Sequence, residues 1–204
     1  MYGLILSFKI IKKIYSIFAD LIYNPIVKLN FYLNGVKPGR GFKSLGFPFV
    51  SVNRTGTFTV GENLKLNNGN RHNVIGRQQR CIFWVDGELI IQDNVGISST
   101  AIVCEKSIKI GNNVKIGGNT VIYDTDFHSL DPQIRNSKSD KKSAISLSVI
   151  IEDNVFIGAH STILKGVTIG ENSIVGACSV ITKNIPPNEI WAGNPAKKIK
   201  NITE

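Results

Sequence analysis

The hydrophobic positions in the second half of the chain follow a period of six residues. Between residues 151 and 185 the repeated aliphatic residues are Ile151, Ile157, Ile163, Ile169, Val175 and Ile181. A period of six is not that of a helix, and strand alternation alone does not produce it. It predicts one short strand per six residues, with one side chain pointing inward and a turn after it. This is the pattern of a parallel β-helix.

The same step occurs earlier in the chain. It runs through Ile91, Ile97 and Val103, and it resumes after one extra residue at Ile110, Ile116 and Ile122. Between the two blocks, residues 124–148 are polar and show no period. A long loop inside a compact domain is usually functional or disordered. We therefore predict a mainly β chain, in which residues 36–190 form the β-helix, residues 124–148 form a loop inserted between coils, and residues 191–204 form a C-terminal tail.

Residues 1–35 are predicted to form an amphipathic, basic helical arm. At helical spacing, one face carries Leu4, Phe8, Ile11, Tyr15, Phe18 and Ile22. The opposite face carries Lys9, Lys12, Lys13, Ser16 and Asp20. Pro25 is expected to end or bend this helix. The longest run without a charge is far short of the ~20 apolar residues that a membrane span needs.

This arm is interpreted as a surface helix at a membrane. We expect residues 1–30 to lie on the inner face of a bilayer, with lysines toward anionic headgroups. Packing on the chain's own β-helix or on a sister subunit is the alternative.

Composition narrows the class of protein. The formal net charge is +9, and residues 1–43 carry +6 of it. A nucleic-acid-binding domain would place its basic patch on the folded core, so no nucleic-acid partner is expected. Cys81, Cys104 and Cys178 are scattered, without the spacing of a disulfide framework or a metal site. No signal-peptide pattern is present. We therefore expect a cytoplasmic protein, peripheral at the inner membrane face.

Three segments together resemble the hexapeptide-repeat acyltransferases: residues 91–122, residues 151–185 and the terminal run WAGNPAKKIK. The DFH segment before the loop adds to the likeness, which covers roughly residues 85–200 and is strongest to sugar O-acetyltransferases of the maltose, galactoside and nodulation type and of surface-polysaccharide clusters. The resemblance implies a left-handed coil and a homotrimer. It also implies acetyl-CoA bound in clefts between neighbouring coils, with direct transfer to a sugar hydroxyl.

Acetyl transfer to a hydroxyl needs a group that removes the hydroxyl proton, and a neutral imidazole suits this near pH 7. His128 matches the family's catalytic His, whereas His160 is expected to be structural. A carboxylate often holds such an imidazole in one tautomer. Glu105 and Asp126 are both candidates, and the sequence does not choose between them.

The resemblance also assigns residues to acetyl-CoA. The backbone N–H of Ala159 matches the donor to the developing oxyanion, and Phe156 matches an aromatic wall near the thioester or the acceptor. Ala177 matches a position beside the pantetheine arm. Around the adenine nucleotide the matching residues are Thr182, Lys183, Lys197 and Lys200. Lysines present point charges to phosphate rather than the planar fork of Arg.

Other functions stay open at this stage. One alternative is that the chain is a related acyltransferase with another acceptor: an amino sugar, serine or an antibiotic. A γ-carbonic-anhydrase-like metalloenzyme or an inactive scaffold trimer is a more distant alternative. That zinc enzyme needs three histidines, two of them closely spaced. His72, His128 and His160 lie on dissimilar segments, so no metal is predicted.

Overall fold

The computed structural model describes residues 1–73, 75 and 79–202. It confirms the predicted left-handed parallel β-helix. In chain order the strands are β1 (Lys43–Leu45), β2 (Phe49–Val52), β3 (Thr57–Val60), β4 (Lys65–Asn67), β5 (Ile82–Val85), β6 (Glu88–Ile91), β7 (Gly96–Ser98), β8 (Ala101–Cys104), β9 (Ser107–Ile110), β10 (Lys115–Ile116), β11 (Val121–Tyr123), β12 (Val149–Ile151), β13 (Phe156–Ile157), β14 (Thr162–Ile163), β15 (Thr168–Ile169), β16 (Ile174–Val175), β17 (Val180–Ile181), β18 (Glu189–Gly193) and β19 (Ala196–Asn201). The helices are α1 (Tyr2–Leu33), α2 (Gly69–His72), α3 (Pro132–Arg135) and α4 (Asp140–Ser143).

The strands form three sheets, one on each side of the coil. The first sheet has the order β1-β4-β7-β10-β13-β16-β18-β19, the second has β17-β14-β11-β8-β5-β2, and the third has β15-β12-β9-β6-β3. Every pairing is parallel except β18 with β19, which form an antiparallel hairpin at the C-terminal end. Except in this hairpin, successive strands of the chain therefore belong to different sheets, as a period of six requires.

Inward aliphatic side chains stack in columns through the coils. In the second sheet, Ile102 pairs with Ile122, Ile122 pairs with Ile163, and all three are fully buried. The expected inward position of Val103 is wrong. Ile97 and Ile102 are both buried, so this coil has one residue fewer between its strands. Strand alternation then directs Val103 outward.

Helix α1 closes the N-terminal end of the β-helix with its second half. Phe31 is fully buried, and its ring centroid lies 5.2 Å from that of Phe42 and 5.9 Å from that of Phe58. The side-chain oxygen of Asn24 accepts a hydrogen bond of 2.7 Å from the backbone N–H of Ser44. Of the two outcomes expected at Pro25, the end of the helix is not observed, because the helix continues to Leu33.

The first half of α1 projects from the β-helix with its apolar side chains exposed. Leu4, Phe8 and Phe18 are 80%, 65% and 60% exposed. In a regular helix, residues eighteen apart are separated by about five turns of 3.6 residues and lie on the same side. Lys9 and Lys13 are therefore aligned with Val27 and Phe31, which pack on the β-helix. The exposed apolar face consequently points away from the β-helix. No described helix is long and apolar enough to cross a membrane.

The inserted loop leaves the second sheet after β11 and contains α3 and α4. Asp124 starts it as a fully buried carboxylate, which accepts backbone hydrogen bonds from Glu105, Lys106 and Ser107 at 2.7–2.8 Å. An antiparallel bridge between Thr125 and Ser146 closes the base of the loop. The region predicted as a tail, residues 191–204, continues the hairpin that begins at Glu189, and its last two residues lie outside the described part of the chain.

Candidate active site

A cavity of about 380 Å³ lies beside the inserted loop, on the outer face of the second sheet. It is lined by Ile82, Trp84, Val103, Glu105, Phe127, His128 and Lys141. The strands contribute the apolar wall, including Val103, which is available only because it points outward. The loop contributes the imidazole and the lysine. A mostly apolar cavity with a few convergent polar groups is typical of a small-molecule site.

Backbone geometry at Phe127 presents His128 to this cavity. Phe127 has a φ of 64°, a left-handed conformation that is uncommon for a bulky residue. The centroid of its ring lies 5.3 Å from that of Tyr123, which is at the end of β11. Residues held in such conformations cluster at functional sites. The His128 side chain is 67% exposed, and substrate can therefore reach it.

The carboxylate that contacts His128 is that of Asp140, the first residue of α4. Its Oδ2 lies 2.6 Å from Nδ1 of His128, and its Oδ1 accepts a hydrogen bond of 2.7 Å from the backbone N–H of Ser129. These bonds lower the pKa of Asp140, with that to His128 the larger cause. A carboxylate at Nδ1 favours the tautomer that carries its proton there, which leaves the Nε2 lone pair to accept a proton.

Neither carboxylate expected from the sequence is the partner of His128. Asp126 lies at the base of the loop, where its Oδ1 is 2.7 Å from Nζ of Lys165. Glu105 does line the cavity, but its Oε1 is 3.5 Å from Nζ of Lys141. Asp140 follows His128 by twelve residues in a segment without periodicity. No spacing rule links the two residues, and the sequence analysis missed Asp140 for that reason.

Glu105, Asp86 and Lys141 form a charged group along one edge of the cavity. Nζ of Lys141 lies 3.3 Å from Oδ2 of Asp86 as well as 3.5 Å from Glu105. Burial, and then the negative charge of Asp86, raise the pKa of Glu105. A hydrogen bond to Asp86 and the charge of Glu105 raise the pKa of Lys141. Lys141 is thus a stable cation that partly neutralises two adjacent acids.

Some of the residues assigned to acetyl-CoA meet at a second cavity of about 240 Å³, next to the terminal hairpin. Its lining consists of Thr182, Lys183, Trp191, Pro195, Ala196, Lys197 and Lys198. Thr182, Lys183 and Lys197 therefore come together, as the resemblance implies. Lys200 is not in this lining; it pairs with Ile190 in the hairpin.

Ala159 and Ala177 lie one above the other where the first sheet turns into the second. The carbonyl of Ala159 accepts a hydrogen bond of 2.9 Å from the backbone N–H of Cys178. A Cβ at Gly117 on the coil before would lie 2.5 Å from the Ala159 nitrogen. Only glycine there permits this spacing, which keeps the Ala159 amide in place. Phe156 is 48% exposed on the outer face of the first sheet.

The two cavities are separate within one chain, since no described residue lines both. His128 lies on the inserted loop, whereas Lys197 and Lys198 lie on the terminal hairpin and Lys183 follows β17. Among the described residues there is also no group of three or more His, Cys, Asp or Glu side chains that could hold a metal ion.

Comparison with known proteins identifies the repeats. The family model described as bacterial transferase hexapeptide (six repeats) matches residues 148–183. The model described as hexapeptide repeat of succinyl-transferase matches residues 89–124. Together they cover the two blocks that flank the inserted loop.

Two curated relatives illustrate the likeness. WbbJ of Escherichia coli strain K12, named for O-acetyl transfer in lipopolysaccharide biosynthesis, is 31% identical over 166 residues, which covers 79% of this chain and 80% of WbbJ. A galactoside O-acetyltransferase of the same strain is 39% identical over 103 residues, or 50% of this chain and 48% of that protein. The chain covers between 44% and 53% of the length of the first four curated relatives it matches.

Two solved structures share the fold. AntD, an N-acyltransferase of Bacillus cereus in complex with dTDP and 3-hydroxybutyryl-CoA, matches with a TM-score of 0.66 and 25% identity, covering 85% of this chain and 86% of that one. A hexapeptide-repeat acetyltransferase of Vibrio cholerae in complex with acetyl-CoA matches with a TM-score of 0.54 and 25% identity, covering 86% and 75%.

Proposed function

Since the chain belongs to the hexapeptide-repeat acetyltransferase family, we propose that it transfers the acetyl group of acetyl-CoA to a sugar hydroxyl. The acceptor belongs to a bacterial surface polysaccharide or its lipid-linked precursor. The observation that carries this proposal is the exposed imidazole of His128, paired through Nδ1 with a carboxylate at the edge of an apolar cavity.

In the proposed reaction, His128 is the general base. Its Nε2 takes the proton of the acceptor hydroxyl as the oxygen attacks the thioester carbonyl. The backbone N–H of Ala159 donates to the oxyanion that forms. The C–S bond then breaks, and the imidazolium returns the proton to the sulfur of the leaving CoA. A C–O bond has replaced a C–S bond, without a covalent enzyme intermediate.

Acetyl-CoA is proposed to bind along Ala177 and the second cavity. Ala177 leaves room for the pantetheine arm, and Thr182 and Lys183 lie beside the adenine nucleotide. Lys197 faces the phosphates, with Lys200 further along the hairpin. Three lysines near one anionic ligand supply the charge that the phosphates need. Solved structures of similar fold bind acetyl-CoA or another acyl-CoA, which supports this assignment.

A homotrimer is proposed to complete the site. The His128 cavity and the Lys183–Lys197 cavity have no common residue in one chain. A general base must lie within hydrogen-bond reach of the proton that it takes. A neighbouring subunit that places its Ala159 and Ala177 against His128 satisfies this requirement.

A sugar ring suits the cavity beside His128. Trp84 and Phe127 provide exposed aromatic surface for an apolar ring face, and Glu105 offers a polar contact to a neighbouring hydroxyl. WbbJ is named for lipopolysaccharide biosynthesis, and a lipid-linked acceptor of that kind lies at a membrane surface. An amino sugar is the second candidate, because AntD is an N-acyltransferase.

Peripheral membrane contact is proposed for residues 1–30. The exposed apolar face of α1 points away from the β-helix, so a bilayer can receive it without displacing the core. The lysines are long enough to reach anionic headgroups from the polar side. Flotation of the full chain with anionic vesicles, but not of an Ile11→Glu/Phe18→Glu variant, is the expected result. Self-association of the full chain without flotation would instead assign this face to a second copy.

The test of the function is acceptor-dependent release of CoA from acetyl-CoA. The acceptors are neutral sugars, amino sugars, serine and a lipid-linked glycan, and the enzymes are the wild type, His128→Ala and His160→Ala. We expect release with a sugar acceptor by the wild type and His160→Ala, and none by His128→Ala. Release that survives His128→Ala, or no binding of CoA by calorimetry, would contradict the proposal.

A further inference from the structure

We propose that helix α4 of the inserted loop positions His128, with Asp140 holding the imidazole and Lys141 fixing α4 to the β-helix. This inference rests on the proposed function, in which His128 is the base. It assigns two consecutive residues of the aperiodic loop to the active site. Neither is a catalytic residue in itself, since each acts through another side chain.

Asp140 makes one hydrogen bond to His128 and a second, through its other carboxylate oxygen, to the neighbouring backbone. One oxygen contacts Nδ1 of His128 at 2.6 Å, and the other accepts the backbone N–H of Ser129 at 2.7 Å. The carboxylate is thereby fixed relative to both the ring and the backbone that carries it. The Asp140 side chain is only 18% exposed, whereas that of His128 is 67% exposed. Asp140 is therefore the less exposed partner of the pair, and its second oxygen is bound to the backbone.

Lys141 connects α4 to the wall of the cavity. Its Nζ lies 3.3 Å from Asp86 and 3.5 Å from Glu105. These acids follow β5 and β8, which are paired strands of adjacent coils. One lysine thus spans two coils. Without it the two carboxylates would lose the cation that contacts both, and the negative charge of Asp86 already disfavours the charged form of Glu105.

Helix α4 connects His128 to the wall of the cavity through the contacts of Asp140 and Lys141. The loop turns at Phe127, presents His128, and returns through Asp140 and Lys141 to Asp86 and Glu105 at the edge of the cavity. Asp140 contacts the imidazole, and Lys141 contacts the acids of the cavity wall. The distance from the imidazole to an acceptor seated on Trp84 therefore depends on α4. A base displaced by about 1 Å loses much of its effect.

Kinetics of paired variants test this inference. We expect Asp140→Asn to lower kcat roughly 10- to 100-fold, a part of the 10²–10⁴-fold that a general base contributes. The KM for acetyl-CoA should stay unchanged, and Asp140→Glu should recover part of the loss. Lys141→Met should lower kcat by a smaller factor and raise the KM for the acceptor, with Lys141→Arg close to the wild type. Lys142→Met is the matched control, because it removes the same charge from the same helix where no ion pair is described.

A spectroscopic measurement separates this inference from the proposed function. Nitrogen NMR of the three histidines reports which ring nitrogen carries the proton. In the wild type we expect His128 to carry its proton at Nδ1. In Asp140→Ala we expect His128 to lose that preference, whereas the tautomer of His160 should stay unchanged. The expected tautomer does not depend on acetyl transfer. Failure of the activity assay alone would therefore contradict the proposed function and leave the role of Asp140 standing. Wild-type kcat in Asp140→Asn, or an unchanged His128 tautomer in Asp140→Ala, would overturn the role of Asp140.

Discussion

The buried carboxylate of Asp124 accepts a hydrogen bond of 2.7 Å from the backbone N–H of Ser107 on the preceding coil. It accepts two more from Glu105 and Lys106. One side chain thus satisfies three consecutive amides at a corner of the β-helix, at the point where the inserted loop begins. Hydrogen bonds to the backbone of the preceding coil therefore fix the first residue of the loop that carries His128.

Asp124→Ala should destabilise the protein strongly. It leaves three part-buried backbone amides without the acceptor that they share, and we expect a loss of about 3–5 kcal/mol in the free energy of unfolding. Urea denaturation followed by circular dichroism measures it. Asp131→Ala is the control, because Asp131 caps the short, exposed helix α3 and its loss should cost about 1 kcal/mol or less. Equal losses in the two variants would contradict the anchoring role.

Gly117→Ala should damage the proposed oxyanion position. Its Cβ would lie 2.5 Å from the backbone nitrogen of Ala159, and backbone cannot yield as a flexible side chain can. We expect lower stability and a lower kcat for acetyl transfer. Gly96→Ala is the matched control on the same sheet, since its Cβ meets only the Lys115 side chain, at 3.3 Å. A fully active Gly117→Ala enzyme would argue against the Ala159 amide as the donor.

The cysteines should differ sharply in reactivity. Burial raises the pKa of both Cys81 and Cys104 to about 12, so their thiols stay protonated and unreactive at pH 8. Cys178 is exposed and follows Ala177. We expect one thiol per chain to react with an aromatic disulfide reagent in the native state and three in urea.

Acetyl-CoA should slow the reaction of Cys178 if pantetheine lies along Ala177. The measurement is the rate of modification with increasing acetyl-CoA, with free acetate as the control. A rate that is independent of acetyl-CoA at concentrations that saturate binding would place the pantetheine arm elsewhere.

The terminal hairpin should loosen at acid pH. Hydrogen bonds from Lys198 and Trp191, in that order, lower the pKa of Glu189 below its ordinary value of 4.5. A carboxyl with a lowered folded-state pKa stabilises the fold above its unfolded pKa, and this contribution is lost as the pH falls through the folded value. Trp191 fluorescence in a Trp84→Phe background should therefore change below pH 4.5. The same transition in a Glu189→Gln variant would show that another group is responsible.

How far the sequence predicted the structure depends on periodicity. The six-residue step identified the coil and its inward column, because burial of one aliphatic side chain per strand imposes that step. It failed at Val103, since a coil can lose one residue at a corner and keep its strands paired. The partner of His128 was not predictable in this way. Asp140 reaches the imidazole through the fold of an aperiodic loop. Glu105 and Asp126 were the candidates that the sequence suggested, but each forms an ion pair with a lysine instead.

His128 and the proposed cofactor surface line different cavities of a single chain, and we propose that they act together across a subunit interface. Co-expression of His128→Ala with a Lys183→Glu/Lys197→Glu chain tests it directly. Each variant alone should be inactive, and mixed oligomers should regain acetyl transfer, because one interface in them combines an intact His128 with an intact cofactor surface. Mixed oligomers that assemble and bind acetyl-CoA but remain inactive would contradict the claim.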